Sequence, residues 1–141
     1  MKKITLLFVA FISIMSVSFA QAKKTAPKQN VAVAAPVWSE MKAFHAIMSA
    51  TFHPTEEGNF TILRERASDL YSASKEWYAS EIPAQFKAKE TKETLEKLMI
   101  KCNEVMGAVA NKENDETLKK LITEAHDLFH HISGECKKNE K

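Results

Sequence analysis

Residues 122–136 read ITEAHDLFHHISGEC, and the rest of the predicted fold is organised around them. It holds three of the chain's five histidines within six residues. His126 and His130 are four residues apart, so on a helix their side chains lie one above the other. The apolar residues in and just before the stretch recur at the spacing of a helix with one buried face. They are Leu118, Leu121, Ile122, Ala125, Leu128, Phe129 and Ile132.

The same periodicity predicts three earlier helices, at about residues 37–52, 60–79 and 90–110. The connections between them are short and carry turn signals. Residues 53–59 (HPTEEGN) form the first turn, because Pro54 disfavours helical geometry at His53. Short turns join antiparallel neighbours. The sequence therefore predicts an all-α, up-down-up-down antiparallel four-helix bundle over residues 37–138.

The amino terminus has the pattern of a cleaved export signal. Lys2 and Lys3 precede an apolar run at residues 4–17, and small residues at 18–22 offer two cleavage sites. The run is too short to span a membrane comfortably, and no second one follows. We expect residues 1–22 to be a signal peptide, residues 23–36 a flexible tether, and the mature protein to be periplasmic.

Charge and motifs narrow the function. Removing Lys2 and Lys3 from 20 basic residues leaves 18 against 18 acidic residues, so no basic surface favours a nucleic-acid partner. There is no Gly-rich phosphate loop and no recognisable nucleophile–base constellation. We therefore expect a protein that is not an enzyme. The sequence does not decide between a monomer and a homodimer.

The two cysteines are predicted not to pair within the chain, although an exported protein permits disulfides. Along the chain, Cys136 follows the last turn, at Asn114, by nearly twice the interval by which Cys102 precedes it. In antiparallel helices this is a mismatch of roughly 15 Å at about 1.5 Å per residue, whereas bridged Cα atoms lie within about 7 Å. We expect two free thiols, or an intermolecular bond through Cys136.

Helical rise gives the relative heights of the candidate ligands. Met41 and His126 each lie roughly 16 Å below the turn end of the bundle, and His45 lies roughly 11 Å below it. These three are predicted to share one slab of the bundle, with Cys102 and His130 at its edges. His53 lies roughly 11 Å above His45 and joins the group only if the first turn folds inward.

The predicted function is the binding of a transition metal ion by histidines of helices one and four, in a buffering or resistance role. Imidazole suits copper and zinc, and a thioether favours cuprous copper. The ligands expected are His45, His126, His130, Met41 and His53, and a second rank comprises Cys102, Glu56 and Glu57. The alternatives are histidines that only pack or face solvent, and a ligand-free interaction or chaperone-like protein.

The fourth helix resembles the haem segment of the cytochrome c-prime family, exported four-helix bundles with C-x-x-C-H often followed by D-x-F-R. Residues 122–126 (ITEAH) occupy that window, and Asp127 and Phe129 follow as in the family. Ile122 and Ala125 replace both cysteines, and His130 replaces the arginine. The resemblance therefore implies a related bundle without covalent haem attachment.

A small periplasmic b-type cytochrome is similar in size and layout. It binds haem without covalent bonds, through a methionine on helix one and a histidine on helix four. By that resemblance Met41 with His126 or His130 would be the axial ligands. Non-covalent haem is thus an alternative to a metal ion, although large residues such as Trp38 and Phe129 would crowd the macrocycle.

Overall fold

A computed structural model describes residues 37–138. The predicted signal peptide and tether lie outside the described residues. The described part contains four α-helices: α1 (Ser39–Glu56), α2 (Thr61–Ala79), α3 (Ala88–Ala110) and α4 (Asp115–Gly134). The prediction of an all-α four-helix bundle is confirmed. None of the helices in residues 37–138 has the length and apolar character needed to cross a bilayer.

The helices pack in a ring, each against the two beside it, and α1 packs against both α2 and α4. Polar contacts show which ends meet. The Trp38 indole donates to Ser80 Oγ over 2.8 Å, joining the start of α1 to the end of α2. Arg64 Nη2 donates to Asp115 Oδ1 over 2.7 Å, joining the starts of α2 and α4.

The last turn of α1 corrects one detail of the prediction. The helix does not stop before His53 but continues through Pro54 to Glu56. The proline removes one backbone donor near the end, where few hydrogen bonds remain to be lost. The Thr55 hydroxyl donates to the carbonyl of Thr51, and Gly58, at φ 87°, then reverses the chain. His53 is therefore a helical residue of α1.

Asparagine side chains accept backbone hydrogen bonds at the starts of α2 and α4. Asn59 Oδ1 accepts from the backbone N–H of Thr61, and Asn114 Oδ1 accepts from that of Thr117. Each bond satisfies one of the donors that a helix leaves free at its amino terminus. Asn114 is the residue that caps α4, whereas the Asn59 bond reaches α2 across Phe60, the residue before the helix.

The core is rich in aromatic rings that come from three of the helices and their flanking segments. Trp77 lies at its centre, with ring centroids 5.2 Å from Phe44, 5.4 Å from Trp38 and 5.9 Å from Phe129. Trp38 also contacts Phe86, which lies between α2 and α3. All five rings are buried. Their burial supplies a large share of the hydrophobic stabilisation.

Both cysteines are unpaired and buried, which agrees with the predicted mismatch of their heights. Cys136 is more deeply placed than a residue near a frayed tail would be. Its carbonyl accepts from the Lys87 backbone N–H, and Lys138 N–H donates to the carbonyl of Gln85. An intermolecular disulfide through Cys136 would therefore require this end of α4 to open.

The central position of Trp77 makes it the most sensitive single core residue. We expect Trp77→Ala to lower the free energy of unfolding by about 3–5 kcal/mol, through lost burial and a residual cavity. Ile100→Ala is the control, because Ile100 is half exposed and should change stability by less than about 0.5 kcal/mol. Urea unfolding measures both. Equal effects of the two substitutions would contradict the described core.

Candidate metal centre

The groove between α1 and α4 carries four of the five histidines. These two helices approach each other less closely than the other adjacent pairs do. Aromatic side chains fill the space between them, and Phe44 and Phe129 lie with their ring centroids 6.0 Å apart. Bulky side chains at a helix contact increase the distance between the axes. The result is a wide seam whose outer edge is lined with imidazoles.

Ring stacking fixes the register across this seam. The His126 ring stacks on Phe52 with centroids 3.8 Å apart and planes 12° apart. One turn further along α4, Phe129 stacks on His45 at 4.8 Å and 6°. His126 thus contacts α1 at Phe52, and His45 contacts α4 at Phe129. Because Phe52 is eleven residues beyond Met41 on α1, His126 does not lie level with Met41 as the predicted slab requires.

His126 and His130 form the closest pair of candidate ligand atoms in the groove. Their Nε2 atoms are 3.1 Å apart, and the rings meet edge to face. A tetrahedral zinc ion with Zn–N bonds of about 2.0–2.1 Å would separate two such nitrogens by roughly 3.3 Å. The pair therefore already has almost the spacing that chelation requires, and an ion could replace the proton shared by the two nitrogens.

His53 approaches the pair from α1. Its ring centroid lies 6.4 Å from that of His126, with the rings edge to face. His53 Nδ1 is 3.1 Å from Glu56 Oε2, one turn further along the helix. A carboxylate that accepts from Nδ1 fixes the ring so that Nε2 is free for a metal. The extension of α1 past Pro54 makes this placement possible.

The remaining predicted ligands lie apart from the pair. His45 is exposed and stacks on Phe129 rather than on His126 or His130. Met41 is half buried and packs against the core, and Glu57 is exposed just beyond the end of α1. The structure thus brings together His126 and His130, with His53 and Glu56 close by. For His45, Met41 and Glu57 a ligand role stays a prediction.

Cys102 is fully buried on α3, far from water. Burial raises the pKa of its thiol to about 12, and a hydrogen bond with Ser74 of α2 only partly opposes that effect. A thiol must lose its proton to bind a metal or react. Cys102 is therefore a small apolar core residue in the described fold.

His126 is the histidine whose electrostatic environment is most clearly altered. Burial lowers its pKa below the ordinary 6.5, and positive charge on His130 lowers it further. Asp127 and Glu56 act in the opposite direction, with smaller effect. A neutral imidazole is the form that binds metals. The groove therefore favours the ligand form of His126 at neutral pH.

A second group of metal-ligand residues lies elsewhere and was not predicted from the sequence. Glu90, His131 and Cys136 each place one donor atom within 4.8 Å of the other two. Among the histidine, cysteine and carboxylate side chains of residues 37–138, this is the one group of three whose donor atoms lie so close to one another. The groove histidines lie further apart in their present rotamers, and only two of them are in contact distance.

Comparison of the chain with protein-family models, with curated proteins and with solved structures finds no match. The function of this chain therefore has to be inferred from the chemistry and geometry of its own side chains.

The pKa of His126 in the metal-free protein gives a direct test of the groove. We expect His126 to titrate below 6.5, and His130→Ala to raise its pKa only part of the way back, since burial remains. Because the folded pKa is the lower one, stability should fall as the pH drops from about 6.5 through that pKa. Histidine NMR titration measures the effect. A His126 pKa at or above 6.5 would contradict the described environment.

Proposed function

We propose that this protein binds a transition metal ion, Cu²⁺ or Zn²⁺, at the groove between α1 and α4. His126 and His130 of α4 are the primary ligands, and His53 of α1 is the third. The protein is exported through its amino-terminal signal and acts in the periplasm as a metal-buffering or resistance protein without catalytic activity. The 3.1 Å separation of the two Nε2 atoms is the observation that carries the proposal.

The third ligand requires only a side-chain movement. His53 and His126 belong to opposite helices whose register is fixed by the Phe52–His126 stack. Rotation of the exposed His53 ring about its side-chain torsions can bring Nε2 toward the pair, and Glu56 can follow because both side chains are more than half exposed. In the proposed arrangement the four helices alternate in direction, as in an up-down-up-down bundle.

The position of the site suits exchange rather than permanent storage of an ion. His130 is exposed and His126 is half buried, so an ion bound by them would keep open positions for water. Imidazole nitrogens bind Cu²⁺ more tightly than Zn²⁺ in a site of no strong geometric preference. A rim site of this kind fits capture and release of an ion in the periplasm.

Non-covalent haem has less support as a function. An interior haem between α1 and α4 would need the volume that Phe44, Trp77 and Phe129 fill, where the centroids are 5.2–6.0 Å apart. His126 and His130 lie at the rim of this packed region rather than inside it. A ligand-free interaction protein remains the simpler alternative, and it predicts no tight metal binding.

Isothermal titration of tag-free protein with Zn²⁺ and with Cu²⁺ tests the proposal. We expect the double variant His126→Ala, His130→Ala to lose more affinity at the groove than the roughly 10–100-fold that loss of an outer-shell partner costs. Lys120→Ala, Glu124→Ala is the matched control, with the same spacing on the same helix and with Glu124 facing Lys101 of α3. Unchanged stoichiometry and unchanged affinity in the histidine double variant would overturn the proposal.

Single variants identify the ligand from α1. His53→Ala should weaken binding strongly, and Glu56→Gln should weaken it by about 10-fold through loss of ring orientation. His45→Ala should leave the affinity unchanged, because its ring contacts Phe129 instead. The reverse pattern would assign the third position to His45, as the sequence alone predicted.

A further inference from the structure

The end of the bundle opposite the first and third turns contains a second group of side chains that could bind a metal ion. Glu90 lies in the first turn of α3, His131 in the last turn of α4, and Cys136 just beyond it. One donor atom of each lies within 4.8 Å of the others. This group shares no residue with the histidine groove.

We propose a second metal site, for Zn²⁺, formed by Cys136 Sγ, the His131 imidazole and the Glu90 carboxylate. A thiolate, an imidazole and a carboxylate are the three ligand types that zinc takes in proteins. A tetrahedral ion separates its ligand atoms by roughly 3.3–3.8 Å. His131 Nε2 already lies 3.6 Å from Glu90 Oε1, and all three donors are close enough for small side-chain movements to complete the site.

The histidine in this cluster is oriented as zinc-bound histidines are. His131 Nδ1 is 3.1 Å from Glu135 Oε2, one turn along α4. When that nitrogen donates to the carboxylate, Nε2 carries the lone pair and faces Glu90. Such a carboxylate partner fixes the tautomer and raises the basicity of a metal-binding imidazole.

The surroundings of Cys136 supply an independent observation. The Thr91 hydroxyl is completely buried and has no hydrogen-bond partner. It is close enough to the Cys136 thiol to act against the rise of that thiol's pKa. The nearby Thr94 hydroxyl already donates its proton to the Glu90 carbonyl. Thr91 can therefore donate to a metal-bound thiolate, which would satisfy its own buried hydroxyl.

The charges around the cluster suit a divalent cation. A Cys136 thiolate, Glu90 and Glu135 would place three negative groups there, beside the ammonium of Lys87. That ammonium is 3.2 Å from Glu90 Oε2 and donates to the Glu135 carbonyl. Without an ion, burial raises the pKa of Cys136 and keeps the thiol protonated. A coordinated zinc ion removes that proton.

The site would be reachable from solvent and would secure the chain end. Glu90 and His131 are about two-fifths exposed, whereas Cys136 is fully buried. An ion can thus enter on the carboxylate and imidazole side. Once bound, it would join the start of α3 to the end of α4, where the Lys87–Cys136 backbone hydrogen bond already connects them.

Co²⁺ titration of the reduced, tag-free protein tests this site apart from the groove. A thiolate ligand gives a near-ultraviolet thiolate-to-Co²⁺ charge-transfer band, which imidazoles alone do not give. We expect the band in the wild type and its loss in Cys136→Ser. It should persist in Cys102→Ser, the matched control, and in the His126→Ala, His130→Ala variant. No band at saturating Co²⁺, or a band that survives in Cys136→Ser, would overturn the proposal.

Two further variants keep the test decisive if Cys136→Ser folds poorly. His131→Ala leaves the buried thiol in place. It should lower the Co²⁺ affinity, measured from the growth of the charge-transfer band, by more than about 100-fold, since a ligand rather than an outer-shell group is lost. Glu135→Gln should lower it by about 10-fold. Unchanged affinity in His131→Ala would also overturn the site, whatever the outcome for the groove histidines.

Discussion

The aromatic contacts between α1 and α4 are the constraint on which the rest of the structure depends. Phe44 and Phe129 meet inside the seam, and each of Phe52 and Phe129 carries an imidazole of the opposite helix on its face. Flat rings in contact admit few alternative registers without loss of area and of favourable ring geometry. A shift of one turn would remove both stacks at once. The seam therefore sets the heights of all the groove histidines.

The same constraint determines what chemistry the groove can support. Because rings fill the interior, the imidazoles lie at the rim, where solvent reaches them and where an ion could enter and leave. The stack on Phe52 buries one face of His126 and lowers its pKa, while its Nε2 faces that of His130. Packing thus keeps one imidazole neutral and holds it beside a second. This combination is what the proposed metal site requires.

Much of the fold follows from the sequence, and less of the site does. The four helices are apparent from the apolar spacing and the polar turns, and the unpaired cysteines follow from helical rise. The predicted end of α1 was wrong, because Pro54 is tolerated in a last turn that Thr55 and Gly58 stabilise. Heights along isolated helices could not reveal the offset between α1 and α4, since side-chain packing sets that offset.

The group of Glu90, His131 and Cys136 was not predicted from the spacing of residues along the chain. Glu90 precedes Asn114 by nearly the same interval along the chain as that by which Cys136 follows it. In an antiparallel pair these intervals place the two residues at nearly equal height, so the sequence did contain the signal. It was not apparent because Glu90 lies on a different helix, among other acidic residues. Only the side-chain geometry shows that Glu90, rather than Glu93 or Glu96, lies beside Cys136.

The claim that α1 and α4 together hold an ion is tested most directly by crystallography at the zinc absorption edge. Crystals of the mature domain soaked in Zn²⁺ should show an anomalous peak at about 2.0–2.1 Å from Nε2 of both His126 and His130, with His53 turned toward it. If saturating Zn²⁺ leaves those two nitrogens in contact with each other and no peak between the helices, the groove is not a metal site.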